Sequence, residues 1–429
     1  MTAFSQARTG RLLFVTGAFI TALFFIGTWV VGMLGSSDLL SAVMGDWIQF
    51  HRVGERLAAG EWTRLYPDSF PDGHHPDFPD GLYFLYPPFA LPGTLLFAGM
   101  TPLQAYATCV GMVSVATAGS VVLITKALKG SREDGFLLGL GVLASAFFLS
   151  GLLLGHLSTL LGLVAAAGFY LHCSGRPALA GLVWALLLAK PNWGVPLVML
   201  CLVGRQWKTV RGLVGGAAVL GLVGALLGHG LWGDWGRMIV QYNDVIRNLT
   251  PPEKQLTVFA SLQSLMGVRG APGALLLAWG ALSGALALSA AYAWWIGERG
   301  GLPFERLFAL AMVVILAGSP YAYYYDGIFL VTPAAVWWIC RDSYGRVAWR
   351  SIGATMAFVV LWGHVGAWMG QVSERPSLVG WGVAVWSVAE LVDLLGRVAR
   401  DSDLQRPEQL SAREEAISII SSRSSADFA

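Results

Sequence analysis

Apolar stretches long enough to enter or cross a lipid bilayer recur along the chain. They lie at about 12–34, 104–125, 135–153, 157–173, 177–189, 191–203, 210–231, 272–296, 304–318, 322–340, 347–370 and 377–395. A bilayer core is ~30 Å thick, and about 20 helical residues span it. Helices satisfy their own backbone polar groups in lipid, where no water is available to do so. Of the 429 residues 55% are hydrophobic and only 13% charged, against ~25% charged in soluble domains. One water-soluble core cannot bury that much apolar surface. The expected fold is an all-α integral membrane protein, a polytopic bundle of about 11–13 transmembrane helices. The first stretch lacks a small-residue cleavage site and reads as a retained helix rather than a signal peptide.

Basic residues set the topology. With the N-terminus in the cytoplasm, Lys126, Lys129, Arg132, Arg176, Arg205, Lys208, Arg211, Arg299, Arg306, Arg341, Arg346 and Arg350 fall inside, as do the N-terminal and tail arginines. That places about 19 of the 28 Lys and Arg on one side, as the positive-inside rule requires. Two longer polar stretches, 35–85 and 232–270, then become extracytoplasmic loops of a membrane domain covering 1–396. Residues 397–429 form a polar cytoplasmic tail, read as disordered.

Two stretches resist a simple span. Taken as one helix, 177–203 would put the following basic cluster outside, so a hairpin of two short arms meeting near Lys190-Pro191-Asn192 is expected. Tyr86 to Met100 is apolar but carries Pro87, Pro88 and Pro92, and reads as a re-entrant or interfacial segment. Irregular backbone at that depth is tolerated only when it is buried in protein or lines a cavity.

The net charge of +2 and the lack of a basic arm argue against nucleic acid as a partner. Cys109, Cys173, Cys201 and Cys340 lie in or beside apolar stretches without metal-like or disulfide spacing, as small buried hydrophobes do. No HExxH, CxxC, Walker loop or GxSxG is present. His74 and His75, in DGHHPDFPD, sit among prolines and glycines and read as a polar loop.

The polar residues that remain collect on the outer face. Asp46 opens a segment in which Trp47, Phe50, Val53 and Leu57 recur at helical spacing, fitting an amphipathic helix on the membrane surface. Asp46 suits both an N-cap and a catalytic base. A lysine between two apolar arms is costly. Lys190 either holds an anionic oxygen in a cavity or snorkels to the interface. The run Ser319-Pro320-Tyr321-Ala322-Tyr323-Tyr324-Tyr325-Asp326 opens a span from the same face. Its tyrosines suit an interfacial belt, while Asp326 could orient a sugar hydroxyl or pair with Lys190 or an arginine. His156, in the turn Gly155-His156-Leu157-Ser158, is either a donor to a phosphate or sugar or a solvated loop residue.

The order of these motifs resembles glycosyltransferase family 87. The carrying residues are Gly45-Asp46-Trp47, Gly60 to Tyr66, Tyr86-Pro87-Pro88, Gly155-His156-Leu157, Lys190-Pro191-Asn192, Thr257 to Gly267, and Ser319-Pro320-Tyr321 with Tyr325-Asp326. The resemblance covers roughly 12–340. It departs at His156-Leu157, where the family usually has Gln-Asn.

That resemblance implies a GT-C-type fold and a bacterial plasma-membrane enzyme whose site faces the periplasm or exterior. It implies a polyprenyl-phosphate sugar as donor, as in the family's mannosyltransferases, and a lipid or glycan acceptor. Asp46 matches the family's catalytic aspartate. The leaving phosphate needs positive charge or hydrogen-bond donors; Lys190, His156, Arg52, Tyr321, Tyr323 and Tyr324 are the candidates. Asp326, Asn192, Tyr66 and Tyr86 are candidates for binding substrate. No cofactor is expected. Asp46 and Asp326 together would offer oxygen ligands to a hard cation, but a phosphate leaving group does not demand one. The alternatives are a transporter or flippase for lipid-linked saccharides, an oligosaccharide ligase, and a non-catalytic scaffold.

Overall fold

The computed structural model describes residues 47–61, 65–66, 84–228, 230–249, 255–268, 272–369 and 378–400. Asp46, the 12–34 stretch, His74, His75 and the tail beyond 400 lie outside the described residues. Within them the chain is all-α, the polytopic membrane class expected, and its sole extended pairing is a bridge between Gln255 and Tyr323. The helices are α1 (Trp47–Ala58), α2 (Pro102–Ala127), α3 (Arg132–Leu143), α4 (Ala146–Leu154), α5 (Ser158–Cys173), α6 (Pro177–Trp184), α7 (Pro191–Val203), α8 (Trp207–Leu227), α9 (Leu231–Leu249), α10 (Val258–Met266), α11 (Gly273–Gly300), α12 (Phe304–Gly318), α13 (Val331–Ile339), α14 (Arg346–Met369) and α15 (Val379–Arg400). Of these, α2, α8, α11 and α15 are long and apolar enough to cross a bilayer by themselves.

The 135–153 stretch is not one straight helix. It breaks into α3 and α4, bent by 62°. Ser145 is the cause: its hydroxyl donates to the Val142 carbonyl, ending α3, and accepts from the Phe148 amide, capping α4. An N-cap serine inside an apolar run is a helix start signal.

The 177–203 stretch reverses at Lys190. In a continuous helix residues 187 and 194 would lie ~10 Å apart, yet a Cβ on Gly194 would come within 2.8 Å of the Leu187 carbonyl carbon. Two short helical arms meet there, α6 with its 3₁₀ extension Ala185–Ala189, and α7. Pairing between α6 and α8 agrees with the reversal. Gly212 lies against Ala178 and Gly216 against Leu182, so these two helices run in the same direction and α7 must run back between them. Such backbone approach needs small residues.

From Tyr86 to Met100 the chain forms only short helical turns over Pro88–Phe97. Ten residues reach ~15 Å at most as an α-helix and cannot span a bilayer core. The segment packs instead on α1, where a Cβ on Gly54 would strike the Thr94 carbonyl oxygen at 2.2 Å and the Met100 carbonyl accepts from His51 Nε2 at 2.8 Å. The polar 232–270 stretch holds two helices, α9 and α10. The indole of Trp235 on α9 donates to the Leu85 carbonyl. Helix α1, the 84–100 segment and the start of α9 thus form an aromatic layer containing Trp47, Phe50, Tyr66, Phe84 and Tyr86.

The main core is built around α12, buried along its length from Arg306 to Ala317. At one end of α12 the Arg306 guanidinium, 1% exposed, donates to Glu390 Oε2 at 2.7 Å, Asp393 Oδ2 at 2.8 Å and the Ser343 carbonyl at 2.7 Å. Its plane lies 3.7 Å from the Tyr344 ring centroid. This network ties α15 to the core.

Candidate functional site

Three elements converge on one buried polar cluster. The reversal at Lys190 supplies an ammonium. The turn between α4 and α5 supplies His156 and Ser158. The 3₁₀ segment Tyr324–Leu330, which begins within the tyrosine run, supplies Asp326. Each of these turns interrupts a helix, which lets a polar side chain point sideways into the bundle rather than along a helix face.

At the centre Lys190 Nζ and Asp326 Oδ1 form an ion pair. The Ser158 hydroxyl donates to the same Asp326 oxygen at 2.5 Å and accepts from Lys190 Nζ at 3.1 Å. Asp326 Oδ2 accepts from the Tyr323 amide at 3.0 Å. The lysine side chain is 11% exposed and the carboxylate 0%. Of the pair, only the lysine side chain keeps any exposed surface.

His156 continues the network. Its Nδ1 accepts from the Ser158 amide at 3.0 Å, which places the proton on Nε2. Nε2–H then faces the Tyr86 hydroxyl oxygen at 3.1 Å. The imidazole stacks on Tyr325 at 3.6 Å between centroids, and Lys190 Nζ lies 5.3 Å above the same ring. Burial first, and the charge of Lys190 second, hold the His156 pKa well below its ordinary value. It is a neutral donor in a fixed tautomer, not the solvated loop residue that was one of its two sequence readings.

The other sequence candidates divide between the rim and the core. Asn192 donates to Ser319 Oγ at 3.0 Å and to the Tyr321 carbonyl at 3.3 Å, bracing the tyrosine run against the start of α7. Burial and then the Asp326 carboxylate push the Tyr321 phenol above its usual range. Tyr323 pairs by backbone with Gln255 and stacks on Tyr325. Tyr324 is buried in the main core. Tyr66 donates to the Tyr86 carbonyl at 2.8 Å and sits in the aromatic layer, and Arg52 is half-buried on α1.

Ser158 and Tyr325 carry no chemical role that sequence alone assigns. Each is adjacent or nearly adjacent to a residue that was singled out. Serine two positions after a histidine carries no distinguishing pattern, and Tyr325 figures only in the family resemblance and the tyrosine run.

The turn at Gly155 connects this cluster to the aromatic layer. Gly155 has φ +60°, and a Cβ there would lie 2.7 Å from Trp47 Cβ. Trp47 is the residue after Asp46. Among the described residues, Trp47 Nε1, Thr159 Oγ1 and Trp193 Nε1 are buried without a hydrogen-bond partner. They belong to the residues next in sequence to Asp46, Ser158 and Asn192. Among the described residues no group of three His, Cys, Asp or Glu is placed to hold a metal ion.

The family model of glycosyltransferase family 87 matches residues 84–320, more than half of the chain. The protein belongs to glycosyltransferase family 87. It is a membrane glycosyltransferase, acting on a sugar donor and an acceptor. The matched span of this family 87 enzyme takes in Tyr86, His156, Ser158 and Lys190. Asp46 precedes it and Asp326 follows it. No curated protein matches the chain.

Proposed function

We propose that the enzyme transfers a sugar from a polyprenyl-phosphate donor to a lipid or glycan acceptor, with inversion, on the extracytoplasmic face of a bacterial plasma membrane. The observation that carries this reading is the partly exposed Lys190 side chain, bonded to Ser158, which lies three residues along from Gly155, where Trp47, the neighbour of Asp46 in sequence, packs. An inverting displacement needs a base for the acceptor and a cation for the leaving phosphate, the roles proposed for Asp46 and Lys190.

In that reaction the Asp46 carboxylate takes the proton of the acceptor hydroxyl. The acceptor oxygen attacks the anomeric carbon, and the bond from that carbon to the phosphate oxygen breaks. The electron pair leaves on polyprenyl phosphate, whose charge Lys190 offsets. A displacement of this kind routes no step through a nucleotide. The apolar, irregular Tyr86–Met100 segment would lie along the polyprenyl chain. The positive-inside distribution of Lys and Arg supports the outward orientation.

The test uses purified enzyme in lipid nanodiscs. Polyprenyl-phosphate mannose, glucose, galactose and arabinose are offered in turn with a membrane lipid extract, and products are followed by mass spectrometry. A glycolipid made by the wild type and absent with Asp46→Asn supports the proposal and names the sugar. A product that persists in Asp46→Asn removes Asp46 as the base. No product from any donor favours transport or ligation of a lipid-linked saccharide.

A further inference from the structure

Ser158 is the one residue that both branches of the polar cluster share. Its amide donates to His156 Nδ1, and its hydroxyl bridges Lys190 Nζ and Asp326 Oδ1. We propose that Ser158 and Asp326 are positioning residues that seat the Lys190 ammonium for the donor phosphate, rather than groups that touch the sugar. This rests on the reading of Lys190 as the phosphate-binding group.

Geometry and burial both lead there. Asp326 is fully buried, and its two oxygens are occupied by the Lys190 ammonium, the Ser158 hydroxyl and the Tyr323 amide. A carboxylate so committed is poorly placed to orient a sugar hydroxyl. Ser158 is also fully buried and cannot meet substrate without moving. Lys190 is the member of the three with exposed surface, and two of its three N–H donors are held by Ser158 and Asp326. The rotatable ammonium of a flexible four-carbon side chain is thereby fixed, so that its remaining donor has one direction. Fixing a donor before the ligand arrives removes the ordering cost from the binding step.

The two branches also separate cleanly by chemistry. The His156 branch depends on the Ser158 backbone amide, and the Lys190 branch on its side chain. Ser158→Ala therefore deletes one and leaves the other.

The experiment measures binding of a sugar-free polyprenyl phosphate to the enzyme in nanodiscs, with the corresponding polyprenol as the control for the chain alone. Wild type, Ser158→Ala, Lys190→Met and Ser158→Ala/Lys190→Met are compared. The expected result is weaker phosphate binding in Ser158→Ala, by about tenfold, as for loss of a charge-assisted bond. Polyprenol binding should be unchanged, and Ser158→Ala should have no further effect once Lys190 is methionine. An equal loss on adding Ser158→Ala in both backgrounds would show a merely structural role and overturn the proposal. So would Ser158→Ala binding the phosphate as the wild type does while Lys190→Met does not. Unchanged binding in Lys190→Met would instead overturn the phosphate reading of Lys190 on which the proposal rests. Asp326→Asn, which keeps the side chain's shape, supplies the second variant and should weaken phosphate binding in the same Lys190-dependent way.

Discussion

Lys190 and Asp326, 136 residues apart in the chain, form a buried ion pair that joins the reversal between two short helical arms to the start of another membrane segment. Removing one partner of such a pair leaves an uncompensated charge and costs about 3–5 kcal/mol, whereas replacing both with apolar groups is often close to neutral. Lys190→Met and Asp326→Leu should each lower the unfolding midpoint in detergent or nanodiscs. The double variant should recover most of that loss. All three should be inactive in transfer, because stability and chemistry draw on different properties of the pair.

His156 gives the protein a pH dependence of defined sign. Its folded pKa lies well below the unfolded value, with burial as the first cause and the Lys190 charge as the second. Above about pH 6.5, the ordinary histidine value, both states are neutral and the group has no effect on stability. As pH falls below that value the unfolded chain takes up a proton that the folded one refuses, and stability is lost down to the folded pKa. Between pH 7 and pH 5 the wild type should therefore lose more thermal stability than His156→Gln. Equal slopes for the two proteins would mean that the imidazole is not the neutral, buried group described here.

Gly155 is held at φ +60° with Trp47 against it. A left-handed conformation costs a residue with a Cβ ~1–2 kcal/mol, and an added methyl would displace Trp47 as well. Gly155→Ala should lower stability by at least that amount. It should also reduce transfer more than it reduces binding of the donor, since the displaced residue adjoins Asp46. Measured turnover and donor KM distinguish this from a general loss of folded protein.

Arg306 lies far from that site in the network with Glu390, Asp393 and Tyr344. Arg306→Met should destabilise by about 3–5 kcal/mol, because Glu390 would then be buried without its cation, whereas Asp393 would keep Arg397 at 3.4 Å. The loss should show first as proteolysis of α15, the helix that the network holds. Donor affinity of the protein that remains folded should be unchanged.

Much of this architecture was legible from pattern. The period and length of the apolar stretches set the helices. The prolines at 87, 88 and 92 marked the segment that does not cross, and the basic residues after 203 required the reversal at Lys190. The break at Ser145 was written in the sequence as a cap but was hidden by the apolar residues on both sides. The helices inside 232–270 were hidden by polarity, which describes what a segment faces and not whether it is helical.

The site was legible only in its parts. A lysine, an aspartate and a histidine at turns between apolar segments are costly to place there, so each could be singled out alone by its desolvation. The residues by themselves determined that this is a helical membrane protein, that its irregular turns carry the polar groups, and that it resembles family 87. Which of those groups meet was decided by the packing of α4, α5 and the 3₁₀ turn around Lys190. Only there do the charges of Lys190 and Asp326 cancel, and only there does a serine of no distinguishing pattern become the residue that both branches share. Such contacts join positions more than a hundred residues apart, and a hydrogen bond's dependence on a few tenths of an ångström has no counterpart in sequence spacing.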